Sequence, residues 1–162
     1  MIESGDEPVT IALQGGVAHA TRGQVELSMR LIEGEFPDYH QVVPQKSERR
    51  MLVGVEPLLS GLRRVSIVSS ERTRGVKLQL DTGKLEISSI NPDVGEASED
   101  LAVDYDGPAF SIGFNAKYMI DVLSVLTPAA QVDVGFNDEV SPAVIRCEGE
   151  EDFLYVVMPM RL

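Results

Sequence analysis

The chain has 162 residues, of which 43% are hydrophobic, so it has material for about one ordinary globular domain and part of another. Asp and Glu outnumber Lys and Arg by 26 to 14, which excludes a globally basic nucleic-acid binder and a membrane-surface protein but not a local basic face. With one cysteine, no signal peptide and no apolar run of bilayer length, we expect a cytoplasmic protein without internal disulfides.

Most of the chain alternates apolar and polar residues with the period of two that is typical of half-buried strands. Val9, Ile11 and Leu13 begin the pattern before the turn QGG, and the segment QVELSMRLI continues it. The segments VKLQLD and KLEIS, joined by the turn DTG, are predicted to form a hairpin. Further alternating segments lie at 101–105, 110–112 and 132–136, and in VSPAVIRCE and FLYVVMPM. About ten strands are therefore expected.

Two segments follow the helical period instead. EPLLSGLRRVSIVSS carries an apolar stripe at helical spacing, and its proline lies where the first turn of a helix tolerates one. NAKYMIDVLSVL has Asn115 as a predicted N-cap, a second apolar stripe, and Pro128 beyond it as a stop. The predicted fold class is α+β, with antiparallel sheets and the two helices packed on one face.

Two parts of the chain share one layout. EPVTIALQGGVAHATRGQVELSMRLIEGEFP and AAQVDVGFNDEVSPAVIRCEGEEDFLYVVMPM both read strand, turn, strand, turn, strand. If this repeat is real, the first 35 or so residues end one domain, and a complete sibling domain follows the unpatterned linker EGEFPDYHQVVPQKSERR. Three strands cannot bury their own apolar face, so we expect a piece of a longer protein or a fragment that needs a partner surface.

Catalytic and metal-binding patterns are missing from the sequence. His19 and His40 have no cysteines or carboxylates at ligand spacing, and the glycines do not form a phosphate-binding loop before a helix. The acidic clusters NPDVGEASED and CEGEED lack the pattern of a calcium loop and are interpreted as solvated loops, the alternative being docking onto a basic partner. We expect no enzyme activity, no metal and no cofactor.

Five basic residues fall on or just after the two predicted helices: Arg63, Arg64, Arg72, Arg74 and Lys117. If both helices share one face, these cations give an acidic protein a local positive surface suited to phosphate groups. Chance clustering is the alternative.

The end of the chain is apolar where chain ends are usually polar. Val156 to Met160 combine β-branched residues, methionines and a proline, a composition that suits a groove for varied apolar peptides. The alternative is an ordinary core strand, since alternate side chains of LYVVM must face the core.

Four segments occur in the same order as in one known family: LIEGEFPDYHQVVP, NPDVGEASEDLAVDYDG, IGFNAKYMIDVL and YVVMPMRL. They resemble the bacterial DNA polymerase III beta sliding clamp, over the last two-fifths or so of its length. By this resemblance residues 1–38 are the C-terminal part of the clamp's middle domain and residues 39–162 are its complete third domain. The chain is then expected to be N-terminally truncated, and alone it is not expected to close a ring.

The resemblance implies the DNA-clamp fold and a non-catalytic processivity factor of DNA replication. Such a clamp is a head-to-tail homodimer ring that encircles double-stranded DNA and tethers the DNA polymerase III alpha subunit, the clamp loader and other proteins with a clamp-binding motif. It implies that Arg63, Arg64 and Lys117 face the DNA phosphates. The alternative function is a peptide-docking module that binds clamp partners without encircling DNA.

The resemblance also assigns two further surfaces. The peptide-binding pocket, which in the family lies between the second and third domains, would include Pro37, Val42, Pro142, Val156, Val157, Met158, Pro159, Met160, Arg161 and Leu162. The dimer interface would include Ile67, Val68, Glu96, Glu99 and Asp100. Gln41 departs from the family, because some members have an arginine at this position of the pocket.

Overall fold

The structure of the chain is a computed structural model that describes residues 7–35, 38–39, 42–44, 46–70 and 72–162, with the backbone alone at residue 151. It divides into two compact units, Met1–Asp38 (unit 1) and Tyr39–Leu162 (unit 2). Unit 2 contains both helices and most of the strands.

The described residues form eleven strands and two helices. The strands are β1 (Thr10–Gln14), β2 (Val17–Arg22), β3 (Val25–Arg30), β4 (Arg49–Gly54), β5 (Gly75–Asp81), β6 (Lys84–Asn91), β7 (Gly95–Ala102), β8 (Phe110–Asn115), β9 (Gln131–Phe136), β10 (Ala143–Cys147) and β11 (Glu150–Val157). The helices are α1 (Val55–Ser66) and α2 (Ala116–Leu123). The antiparallel sheets have the strand orders β1-β2-β3 (sheet 1), β11-β10-β9-β4 (sheet 2) and β7-β6-β5-β8 (sheet 3). The predicted α+β class is confirmed.

Unit 1 is a three-stranded meander with an uncovered apolar face. The register places Ile11, Ala20 and Leu27 side by side on the three strands, and Ile11 and Leu27 are exposed. Among the described residues of this unit only Ala18 is buried. A contiguous exposed apolar face of this kind marks a surface that packs against another one.

Unit 2 has one core between its sheets and helices. Alternate residues of each strand point inward, so Leu78 of β5 and Val134 of β9 are fully buried while Lys77 is exposed. Leu58 and Leu62 from the apolar stripe of α1 complete the same core. Burying each of these side chains stabilises the fold by about 1.5–3 kcal/mol.

The two helices pack side by side and cover one face of unit 2. Helix α1 packs on β4 to β7, while α2 packs on β8 and β11, so the pair spans both sheets. The Asn115 side chain accepts a hydrogen bond of 2.9 Å from the Lys117 backbone N–H, which confirms the predicted N-cap. Both helices end earlier than predicted, at Ser66 and Leu123, because turns follow in place of a further helical turn.

Three strands correct the interpretation of the sequence. Strand β4 lies where the linker and the following residues gave no predicted strand, and it pairs with β9. Residues 95–100 of the acidic cluster, interpreted as a solvated loop, lie in edge strand β7 and pair with β6. The second acidic cluster likewise contains the start of β11 at Glu150. Backbone pairing with an apolar neighbour strand outweighs the low strand propensity of these acidic residues.

Candidate functional site

The C-terminal tail, residues 158–162, follows edge strand β11 and is held at both ends. On one side, Val157 is only 2% exposed and belongs to the core. On the other side, the Met160 backbone N–H donates a hydrogen bond of 2.9 Å to the Gly113 carbonyl of β8. Met158 lies between these two attachments and is 59% exposed. The tail therefore presents an apolar side chain on a backbone of fixed course.

Two cavities share the end of the tail as a wall. The smaller, about 410 Å³, is lined by Ser70, Thr73, Gly75, Lys77, Ser88, Ser89, Ile90, Met160, Arg161 and Leu162. The larger, about 620 Å³, is lined by Lys77, Ser111, Ile112, Gly113, Glu139, Val140, Met160, Arg161 and Leu162. Both volumes are in the range of pockets that bind small molecules or a few side chains of a peptide.

The structure brings only part of the predicted peptide pocket together. Met160, Arg161 and Leu162 line both cavities. Six further predicted residues line neither of these two cavities: Val42, Pro142, Val156, Val157, Met158 and Pro159. The side chains of Val42 and Met158, both in unit 2, are nevertheless exposed and could contact a bound peptide.

Val157 corrects the predicted pocket. Because alternate residues of a strand face opposite sides, Val156 is half-buried while the Val157 side chain lies in the core and cannot form an exposed wall. The predicted residue Pro37 and the divergent Gln41 lie outside the described residues.

Most residues that line the cavities were not predicted, among them Gly75, Lys77, Gly113 and Val140. The segments RGVKL and IGFN contained a signal for two of them, because a glycine inside a strand marks a close approach of another part of the chain. Lys77 and Val140 gave no such signal, since their position beside the tail depends on how the two sheets pack.

The predicted DNA-facing cations lie on the exposed helix face but differ in their partners. The Arg63 Nη2 atom donates to the Ser124 hydroxyl at 3.2 Å, and no carboxylate pairs with Arg63 in the described part of the chain. Arg64 forms a two-point ion pair with Glu99, with Nε to Oε2 at 2.8 Å. Lys117 pairs with Asp121 one turn along α2. Arg63 therefore carries the least compensated charge of the three.

Arg74 lies near Lys117 at the start of α2. The two residues line a cavity of about 430 Å³, together with Ile67. Arg72 and Arg74 are both exposed. Arg74 thus extends the exposed basic surface of the helices.

The residues predicted for the dimer interface lie just after α1 and on both faces of the edge strand β7. Ile67 is 79% exposed and Val68 is half-buried, both just after α1. Glu96 and Asp100 point to the face of β7 opposite the helices, where Asp100 pairs with Lys84 at 2.9 Å. Glu99 points to the helix side and is held by Arg64.

The Arg64–Glu99 pair predicts a pH effect on stability. Hydrogen bonding from Arg64 lowers the pKa of Glu99 below its ordinary value, against a smaller opposing effect of burial. The pair's contribution to the free energy of unfolding is therefore complete above the unfolded-state pKa of about 4.3 and is lost as pH falls through the lowered pKa. We expect Glu99→Gln to be less stable than the wild type at pH 7 and to lose less stability between pH 5 and pH 3.

Urea unfolding at several pH values measures this difference. Glu96→Gln is the matched control on the same strand, because Glu96 is exposed and has no ion pair among the described residues. Equal acid sensitivity of Glu99→Gln and the wild type would show that the ion pair does not contribute.

Metal-binding clusters and membrane-spanning helices are both missing from the described residues. No group of three or more His, Cys, Asp or Glu side chains there is arranged to hold a metal ion. Neither helix found there is long and apolar enough to cross a membrane.

The fold and the exposed tail define a class of protein. Sheets covered on one face by two adjacent helices are the architecture of a sliding-clamp domain, and solved clamps match it closely. The DNA polymerase III beta subunit of Pseudomonas aeruginosa matches with a TM-score of 0.83 and 38% identity, over 97% of this chain and 43% of that one. The clamp of Bartonella birtlesii bound to griselimycin matches with a TM-score of 0.83 and 35% identity, over 95% and 41%. The predicted DNA-clamp fold is confirmed.

The sequence comparisons identify the family. Residues 40–161 match the model of the DNA polymerase III beta subunit, C-terminal domain. The beta sliding clamp of Pseudomonas putida is 40% identical over 154 residues, which cover 95% of this chain and 42% of that protein. The chain belongs to the DNA polymerase III beta subunit family, as its four motifs indicated. It spans less than half the length of the relatives it matches.

Proposed function

We propose that this chain forms the C-terminal part of a sliding clamp, the non-catalytic processivity factor of DNA replication in the bacterial cytoplasm. The observation that carries the proposal is the combined sequence and fold match to sliding clamps over nearly the whole chain. In this proposal residues 39–162 are the third domain and residues 1–38 are the end of the middle domain. The uncovered apolar face of sheet 1 supports the second assignment, because it needs the remainder of a domain.

The exposed face of α1 and α2 is the proposed DNA-facing surface. Arg63 contributes most, because its charge is not paired with a carboxylate among the described residues, while Arg64 and Lys117 share theirs with Glu99 and Asp121. Contacts of this kind to phosphates are independent of base sequence, as a protein that slides along duplex DNA requires. Because two of these cations already have carboxylate partners, their attraction to any one phosphate is weakened, which suits movement along DNA while the ring provides the retention.

The C-terminal tail is the proposed third-domain wall of the peptide pocket. Exposed Met158 and the cavities beside Met160 to Leu162 suit apolar side chains of a short segment from the polymerase alpha subunit, the clamp loader or another partner. Relatives from two bacteria have been solved bound to griselimycin. We propose that griselimycin also binds here, which makes it a probe of the pocket.

The surface after α1 and the outer side of β7 form the proposed contact with a second clamp subunit. Exposed Ile67 with Val68 supplies the apolar part, and Glu96 with Asp100 supplies negative charge for basic residues of the partner. The Glu99 carboxylate already forms an ion pair with Arg64, so Glu99 is proposed to contribute to this contact by holding Arg64 in place. The assembly is a head-to-tail homodimer in the whole clamp.

A chimaeric clamp tests the proposed function. This chain replaces the matching C-terminal part of the Pseudomonas putida clamp, and primer extension by the polymerase of that organism measures processivity. We expect the chimaera to support long products. Replacing both Arg63 and Lys117 by Glu should shorten them, and the slope of log affinity against log salt should fall by about 1 for each phosphate that is no longer bound. Arg146→Glu, on the sheet face away from the helices, is the matched control.

The outcomes separate the two candidate functions. A chimaera that binds griselimycin but never raises processivity would support the peptide-docking module. A folded chimaera without either property would contradict the proposal.

A further inference from the structure

The outer face of sheet 3 carries two glycines beneath the C-terminal tail, Gly75 of β5 and Gly113 of β8. The register sets Gly113 opposite Lys77, so Gly75 and Gly113 are diagonal neighbours on the face away from the core. We call these two residues the glycine platform. Neither has a positive φ, so backbone conformation does not require glycine at these positions.

The close approach of the tail is what requires them. A Cβ atom on Gly75 would lie 2.4 Å from the Leu162 Cδ2 atom, and one on Gly113 would lie 2.5 Å from the Met160 carbonyl oxygen and 2.8 Å from Leu162 Cγ. Such separations are well inside van der Waals contact. A side chain at Gly113 would displace the backbone of the tail at Met160, whereas a side chain at Gly75 would displace the Leu162 side chain that rests there.

The platform lies at the far end of the segment that presents Met158. This segment begins at Val157, which is fixed in the core of sheet 2, and ends at Met160, whose N–H is bonded to Gly113 of sheet 3. Pro159 between them restricts the backbone further through its fixed φ. Leu162 itself remains 66% exposed, so its contact with the platform orients the tail more than it fills a core.

We infer that Leu162 and the glycine platform are positioning residues for the peptide pocket: Leu162 rests on Gly75 and Gly113 and thereby fixes the course of residues 158–160. This inference rests on the proposed function, because the pocket is what the tail serves. Leu162 lines both cavities, and Gly75 lines the smaller one, where a side chain added at Gly75 would meet Leu162 first. A tail held before binding costs a ligand less ordering entropy than a mobile one.

The test is a double-mutant cycle on Gly75→Ala and Leu162→Ala, read out in two ways. Hydrogen exchange of the Met160 amide in the present chain reports whether the tail is docked, with no ligand involved. Calorimetric titration with griselimycin in the chimaeric clamp reports the pocket. Leu162→Ala changes only the last side chain and leaves the fold intact, while Ser98→Ala, on the same face but in β7, is the matched control.

Each single variant is expected to lose the protection of the Met160 amide and to bind griselimycin about tenfold more weakly, which corresponds to about 1.4 kcal/mol. The double variant should be no weaker than the poorer single variant, because both changes remove the same contact. Unchanged protection in Leu162→Ala, or additive effects in the cycle, would overturn the inference. A third outcome is that the Met160 amide is protected in the unmodified protein and loses protection in the variants, while the unmodified chimaera does not bind griselimycin. That outcome would leave the platform contact in place. It would overturn the role of the contact in the pocket, together with the proposed function.

Discussion

A chimaeric clamp that lacks Met160 to Leu162 is expected to bind griselimycin at least about 100-fold more weakly than the intact chimaera. The deletion removes three residues that line both cavities, and it also removes the Met160–Gly113 hydrogen bond that ends the segment presenting Met158. The loss of the pocket wall and the loss of order in the tail both weaken griselimycin binding. Fluorescence titration or calorimetry measures the change in the dissociation constant.

The fold should survive this deletion, because the tail lies after the last strand and the preceding Val157 keeps its place in the core. We therefore expect the midpoint of thermal unfolding to remain close to that of the intact protein. Val94→Ala, an exposed apolar truncation in the turn between β6 and β7, is the control and should bind normally. Unchanged griselimycin affinity after deletion would refute the assignment of the tail to the pocket.

The largest effect on stability is expected for Leu62→Ala, at about 2–5 kcal/mol of the free energy of unfolding. Leu62 is fully buried where α1 packs on the sheets, so the substitution removes apolar contact and leaves a cavity in the single core of unit 2. Urea unfolding should show a lower midpoint with an unchanged slope, since the surface exposed on unfolding stays nearly the same.

Ile67→Ala is the matched control for this effect. It truncates an aliphatic residue one position beyond the same helix, but Ile67 is 79% exposed, so the change in unfolding free energy should stay within about 0.5 kcal/mol. A loss of less than about 1 kcal/mol for Leu62→Ala would show that α1 is not tightly packed on the sheets. A loss for Ile67→Ala as large as that for Leu62→Ala would place Ile67 in a buried contact.

Local periodicity was sufficient for the elements with a clear apolar stripe. The helices α1 and α2 and the β5–β6 hairpin follow their predicted segments, because the burial of alternate or helically spaced side chains is repeated every few residues. Strand β4 and residues 95–100 of β7 were missed for the opposite reason. Their residues are charged or solvent-facing on one side, and they become strands because an apolar neighbour offers them backbone hydrogen bonds.

The candidate site divides in the same way. Residue composition alone indicated an apolar, partner-binding C-terminus and basic helices, and four ordered motifs indicated the family. The sequence did not indicate which of these residues keep an unpaired charge or an exposed side chain. Glu99 was assigned to a different surface from Arg64, although the two residues, 35 positions apart, form one ion pair.

The sequence by itself therefore determined the α+β class, the family and the apolar character of the tail, because each depends on patterns among residues close together in the chain. Only the tertiary structure decided that Val157 belongs to the core, that Arg64 is neutralised by Glu99, and that Leu162 lies on Gly75 and Gly113. The physical reason is that these contacts join distant positions. They depend on strand register and on how sheet 2 and sheet 3 meet, which no local pattern specifies.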